Sequence, residues 1–207
     1  MDCPRFFSGQ LLRSDDLGES WPETPNGAIR FPPETETSLE QVWQLTCSPC
    51  VHKVASHPQR PERMYLQNHH GVYRTDDAGA QWQSIAAGLP CDFGFPVVVD
   101  PHDPDCIYLF PLVADGERIP PAGRAAVWRS RDAGESWEAL DQGLPTEGFY
   151  TAVMRDAMCA DDCDATGVYF GSRDGSLFAS NDAGEAWRQI AAHLPDVLCV
   201  RAAVIAE

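Results

Sequence analysis

Lysine occurs once in this sequence, at Lys53, and that scarcity sets the first limits on function. The 15 Lys plus Arg are opposed by 31 Asp plus Glu, for a formal net charge of −16 at pH 7. So negative a surface repels phosphate backbones, and without a polybasic patch neither nucleic acid nor a membrane of anionic lipid is an expected partner. Long apolar runs are missing as well; none approaches the roughly 18 residues of a membrane span. The opening MDCPRFF has no basic stretch followed by an apolar one, so no secretory signal is read there and the expected compartment is the cytoplasm. A phosphate-binding glycine loop, an HExxH, a nucleophile elbow and a dinucleotide fingerprint are all lacking, and no cofactor is expected. What the chain does have is 43% hydrophobic residues with 6 Trp and 9 Phe, too apolar for disorder. Its 207 residues suffice for one large domain or two small ones.

The cysteines are Cys3, Cys47, Cys50, Cys91, Cys106, Cys159, Cys163 and Cys199. In a reducing compartment they are expected as free thiols. Cys47 with Cys50, and Cys159 with Cys163, come nearest to zinc-ligand spacing. The acidic CADDCD stretch lacks the glycine-bearing knuckle of a zinc ribbon, while Cys106 and Cys199 sit in apolar runs where a thiol behaves as a small hydrophobe. No metal site is expected.

Self-similarity is what organises the chain. Four octapeptides share the pattern S/T-x-D-x-G-x-x-W: SDDLGESW from Ser14, TDDAGAQW from Thr75, SRDAGESW from Ser130 and SNDAGEAW from Ser180. The period is roughly 50 to 60 residues, and three copies run on to a Leu-Pro pair. Physically the octapeptide is a turn between antiparallel strands. The hydroxyls of Ser14, Thr75, Ser130 and Ser180 and the carboxylates of Asp16, Asp77, Asp132 and Asp182 can accept the turn's own N–H groups. Gly18, Gly79, Gly134 and Gly184 supply positive φ, and Trp21, Trp82, Trp137 and Trp187 re-enter the strand as apolar anchors. These aspartates are therefore read as structural and not catalytic.

Short alternating or β-branched runs between Pro, Gly and Asp predict strands throughout. Strands A to D fall at 51–55, 63–67, 71–74 and 81–85 in one repeat, then at 96–99, 106–110, 125–130 and 136–140. The last repeat has them at 150–155, 168–171, 176–179 and 186–190. Four strands per roughly 50 residues is a propeller blade.

On these residues the chain resembles the Asp-box, or BNR-repeat, β-propellers, a group that includes sialidases, xyloglucan-active glycosidases and sortilin-type receptor domains. Stretches such as QNHHGVYRTDDAG and PPAGRAAVWRSRDAGESWEALDQGLP resemble bacterial proteins labelled exo-α-sialidase-like or BNR-repeat. The resemblance spans about 8–204. It implies an all-β, single-domain propeller over 1–207, with a partial blade at about 8–49, blades at about 50–90, 95–145 and 149–195, and a closing strand at 197–205. Two A-type strands, 39–46 and 50–58, follow each other with no blade between, so the chain reads as a member shortened by an internal deletion. Either the shortened ring closes, or an open arc self-associates through exposed edge strands.

Propeller ligands bind on the face of the D-to-A and B-to-C loops. That face is expected to gather Asn68, His69, His70, Phe93, Phe95, Arg118, Phe149 and Tyr150, a set suited to a carbohydrate or a protein ligand. The resemblance implies for a sialidase three converging Arg, a Tyr with a Glu beside it and an Asp. Arg13, Arg74 and Arg129 precede the octapeptides and point to the wrong face, and joining Arg118, Arg155 and Arg201 to Tyr150 and Glu147 is an assembly no motif supports. A general glycosidase needs two carboxylates, for which Asp92, Glu147 and Asp156 are available. Asp156 lies in the apolar VMRDAM, where burial would raise its pKa unless it simply bonds neighbouring backbone. The expected function is a non-enzymatic binding or scaffold propeller, with a glycoside hydrolase as the alternative.

Overall fold

The structure is a computed structural model and describes residues 51–114 and 116–204. The octapeptide of Ser14, Asp16, Gly18 and Trp21, the partial blade at about 8–49 with its strand at 39–46, and Cys3, Cys47 and Cys50 lie outside the described residues.

Among the described residues, twelve strands form three four-stranded antiparallel sheets. Blade 1 consists of β1 (Val51–His57), β2 (Arg60–Asn68), β3 (Gly71–Thr75) and β4 (Gln83–Ser84). Blade 2 has β5 (Phe93–Val99), β6 (Ile107–Leu112), β7 (Val127–Ser130) and β8 (Glu138–Leu140). Blade 3 has β9 (Met158–Ala160), β10 (Val168–Gly171), β11 (Leu177–Ser180) and β12 (Arg188–Ala191). Each is a meander with its strands in sequence order, as in a β-propeller. No helix among the described residues is long and apolar enough to cross a membrane.

The cores lie between blades. β6, IYLFPL, is buried along its whole length, because a middle blade has a neighbour on each face and needs no polar side. Tyr65, Val72 and Ile85 of blade 1 meet Val97, Ile107 and Leu109 of blade 2. Between blades 2 and 3 the filling is aromatic: Phe170 stacks on Phe178 at 5.0 Å between ring centres and meets Phe110 at 5.3 Å and Trp187 edge-on at 5.2 Å.

The described octapeptides are turns of one geometry. Gly79 N–H donates to Thr75 Oγ1 at 3.0 Å and Gln81 N–H to Asp77 Oδ1 at 2.8 Å. The same pair of bonds recurs at Gly134 to Ser130 (2.7 Å) and Ser136 to Asp132 (2.8 Å), and at Gly184 to Ser180 (2.9 Å) and Ala186 to Asp182 (3.0 Å). The sequence points to glycine alone for positive φ, yet the alanine before it is left-handed too, with Ala133 at φ 59 and Gly134 at φ 95. That alanine's strain, of order 1–2 kcal/mol, is offset by its N–H, which bonds the start of the sheet's second strand: Ala78 to Glu62 O, Ala133 to Asp105 O and Ala183 to Thr166 O, at 2.8–2.9 Å. Replacing Asp132 by Ala removes the acceptor of Ser136 N–H and of the Ser130 and Ser136 hydroxyls. It is expected to cost about 1–2 kcal/mol in thermal or urea unfolding.

Two strand expectations need correction. The innermost strand of blade 3 is Met158–Ala160, not 150–155. Each innermost strand ends where a side chain accepts the N–H two residues on: His57 from Gln59 (3.1 Å), Asp100 from His102 (2.8 Å) and Asp161 from Cys163 (3.1 Å). This local cap pins the strand to the residues just before Asp161, and the more apolar 150–155 becomes its approach. The described part of the closing strand forms no ladder. It makes one parallel bridge, Asp156 with Cys199, supported by Val200 N–H to Asp156 O at 2.8 Å. Cys91, Cys106, Cys159, Cys163 and Cys199 are free thiols; Cys106 is buried as its apolar run suggests, but Cys199 is exposed.

Candidate functional site

Meander topology puts the octapeptide turns and the first-to-second strand turns at one end of each blade. The β2–β3, β6–β7 and β10–β11 loops lie at the other. A cavity of about 610 Å³ opens at this second end. The β6–β7 loop contributes Gly116, Glu117, Arg118 and Ile119, the approach to β9 contributes Tyr150, Thr151 and Ala152, and the β10–β11 turn contributes Arg173 and Asp174.

Tyr150 is the side chain that stands out, a large ring left 69% exposed. It rests on Gly123, at φ +63, where any Cβ would come within 2.6 Å of the ring. The Arg118 guanidinium lies over the Phe95 ring, 5.5 Å from its centre, and that of Arg155 lies 5.3 Å from the same ring. Arg173 is fixed by two bonds to Asp196 Oδ2, at 3.0 and 2.9 Å, and its N–H donates to Ala152 O at 3.0 Å. Asp174 caps its own turn, accepting from the Ser172 hydroxyl (2.6 Å) and Ser176 N–H (3.1 Å).

Of the residues expected from sequence, Arg118 and Tyr150 share this cavity. Phe93, Phe95 and Phe149 are core side chains instead, 3%, 1% and 4% exposed. A register shift in β5 between Gly94 and Val97 explains Phe95, and one in β1 between Val51 and Lys53 accompanies it. Bulges there turn His52 and Phe95 inward to face each other at 4.7 Å, with Phe93 and half-buried His69 packed alongside. Asn68 is buried and caps the β2–β3 turn, accepting His70 N–H at 2.7 Å, while His70 is exposed away from the cavity. Sequence reasoning missed Ile119, Thr151, Arg173 and Asp174. The SRDG run at 172–175, a second-to-third strand turn carrying an Arg, was the available signal.

The three carboxylates considered for hydrolysis do not line this cavity. Asp92 and Glu147 are exposed. Asp156 pairs with the Lys53 ammonium and with Arg201 Nη2 at 3.2 Å. Its pKa is lowered, contrary to the expectation from its apolar surroundings: the Lys53 hydrogen bond leads, burial opposes it, and the charges of Lys53 and Arg201 add to the fall. An acid held ionised at neutral pH cannot protonate a leaving group. A depressed folded pKa contributes stability above the ordinary carboxylate value and loses it as pH falls through the folded one. The difference in melting temperature between the wild type and Asp156→Asn is therefore expected to be full at pH 7. It should vanish on acidification below 3.8.

No family model matches the chain, and no curated protein matches it. Among solved structures it is similar to the GH74 xyloglucanase from Xanthomonas campestris, at 28% identity and TM-score 0.52, over 67% of this chain and 20% of that one. It is similar also to an ancestral GH74 enzyme, at 18% identity and TM-score 0.52, over 69% of this chain and 18% of that one. A third likeness is to YCF48 from Cyanidioschyzon merolae, at 15% identity and TM-score 0.47, over 68% and 37%. The GH74 enzymes are β-propeller-type proteins, in keeping with the three sheets. The chain spans about one fifth of the length of the GH74 enzymes it matches.

Proposed function

We propose that this chain is a non-enzymatic binding propeller of the Asp-box type whose ligand is a carbohydrate. The ligand would be held at the Arg118, Tyr150 and Arg173 cavity, on the face away from the octapeptide turns. The observation that carries this reading is the exposed Tyr150 ring seated on Gly123 beside guanidinium and hydroxyl groups. A flat ring stacks on the apolar face of a sugar, while Arg118, Thr151 and Glu117 supply donors and acceptors for its hydroxyls.

Isothermal titration with xyloglucan oligosaccharides is the test. Tyr150→Ala is expected to weaken binding by at least about tenfold, the loss of a well-placed aromatic contact. Its melting temperature should stay near the wild-type value, since the ring is exposed. Binding unchanged by Tyr150→Ala would refute the site.

A glycosidase is the second reading, because Glu117 and Asp174 both face the cavity and the xyloglucanase likeness stands at 28% identity. Asp174 is committed to its turn, which argues against it. Release of reducing sugar that disappears in Glu117→Gln would favour the enzyme.

A further inference from the structure

The two junctions between blades are built alike. Ile85 lies over the blade 2 octapeptide, 2.6 Å from where a Cβ on Gly134 would stand, and Leu140 lies over the blade 3 octapeptide in the same relation to Gly184. Both are covered, at 4% and 5% exposed, and Leu144 follows at 6%. The tails after Trp82, Trp137 and Trp187 align, so Ile190 and Leu194 are the blade 3 counterparts of Leu140 and Leu144. They are 56% and 43% exposed. At the other end of the series Ala78 is exposed, whereas its counterpart Ala133 is buried under Ile85's blade. The described blades thus present one unfilled half of a junction at each end.

Charge decides what fits between them. Arg74, just before its octapeptide, donates to Ala133 O at 2.8 Å and pairs with Glu135 at 3.0 Å. Arg129 repeats this with Ala183 O at 2.7 Å and Glu185 at 2.6 Å. In blade 3 the arginine position is Ala179, and in the blade 1 octapeptide the glutamate position is Ala80. Ala179 set against Ala80 matches a missing arginine to a missing glutamate; set against an octapeptide carrying the glutamate, it would leave that carboxylate without the arginine the other junctions give it.

We propose that the outer face of blade 3, at Ile190 and Leu194, docks on the blade 1 octapeptide turn, at Ala78 to Ala80, of a second copy of the chain. The contact is head to tail, each copy presenting one half to the next. It is independent of the carbohydrate reading, since neither Ile190 and Leu194 nor Ala78 to Ala80 line the cavity.

Sedimentation velocity of the full chain across a concentration series tests it. The wild-type mass is expected to rise above 22.8 kDa with concentration, and Ile190→Glu, at an exposed position, should hold the chain at that mass. Ala80→Glu, the residue that the other described octapeptides tolerate, should weaken association by at least about tenfold. Adding Ala179→Arg should restore it by rebuilding the arginine pair. A wild type that stays at 22.8 kDa throughout overturns the proposal. If Ile190→Glu then lowers the melting temperature, the face is covered within one chain. Association indifferent to Ile190→Glu, or Ala80→Glu not rescued by Ala179→Arg, overturns it equally.

Discussion

Arg129→Ala is expected to lower the free energy of unfolding by about 2–4 kcal/mol, read from the midpoint of a urea transition. The Arg129 side chain is 2% exposed and spans two blades. Its Nε donates to Glu138, Nη2 to Glu185 and Nη1 to the carbonyl of Ala183, at 2.6–2.7 Å. Burial alone would lower its pKa, but the hydrogen bonds and charges of Glu138 and Glu185 outweigh that and keep it raised. Alanine leaves the carbonyl of a left-handed residue without this donor and a void at the junction. The two glutamates are about half exposed and recover water, which keeps the loss below that of a fully buried pair. Arg129→Lys should recover only part of the loss, because one ammonium cannot hold three acceptors in a planar fork. A loss under about 0.5 kcal/mol, the level of an ordinary surface substitution, would contradict this account of the junction.

Gly143→Ala is expected to be more damaging still, at about 3 kcal/mol or more. Gly143 sits at φ +89, and a Cβ there would overlap the carbonyl oxygen of Trp187. That backbone has no room to yield, since Trp187 N–H bonds Gln142 O at 2.9 Å and its ring is buried among Phe170 and its neighbours. Gly148 is the control: at φ +72 it too is left-handed, but nothing lies within 4 Å of its Cβ position. Gly148→Ala should cost only the conformational penalty, roughly 1 kcal/mol. Equal effects from the two substitutions would show that φ, not the Trp187 contact, is what matters.

What could be read from the sequence was what local chemistry determines. The octapeptide turn is closed by side chains two to four residues from the N–H groups they accept, so Thr75 with Asp77, or Ser130 with Asp132, can be recognised from a short window. Eleven of the twelve described strands sit where alternation and turn residues place them, give or take a few positions. β9 does not, because the cap at Asp161 outweighs the apolar run before it. The arginine locks were invisible for a different reason: Arg129 meets Glu185 and Ala183 only after the chain has turned through another blade. The site divides in the same way. Topology alone puts Tyr150 and Arg118 on one face, and they line one cavity there. The inward turn of Phe95 depends on a bulge that alternation cannot reveal, and Arg173 was passed over because its turn is short.

Hydrogen exchange of the full chain, with and without saturating xyloglucan oligosaccharide, tests the binding account most directly. Slowed exchange is expected at 116–119, 150–152 and 173–174, the three segments that line the cavity, with the octapeptide turns at Asp77 and Asp132 unchanged. Protection of those turns with the cavity segments unaffected would contradict it.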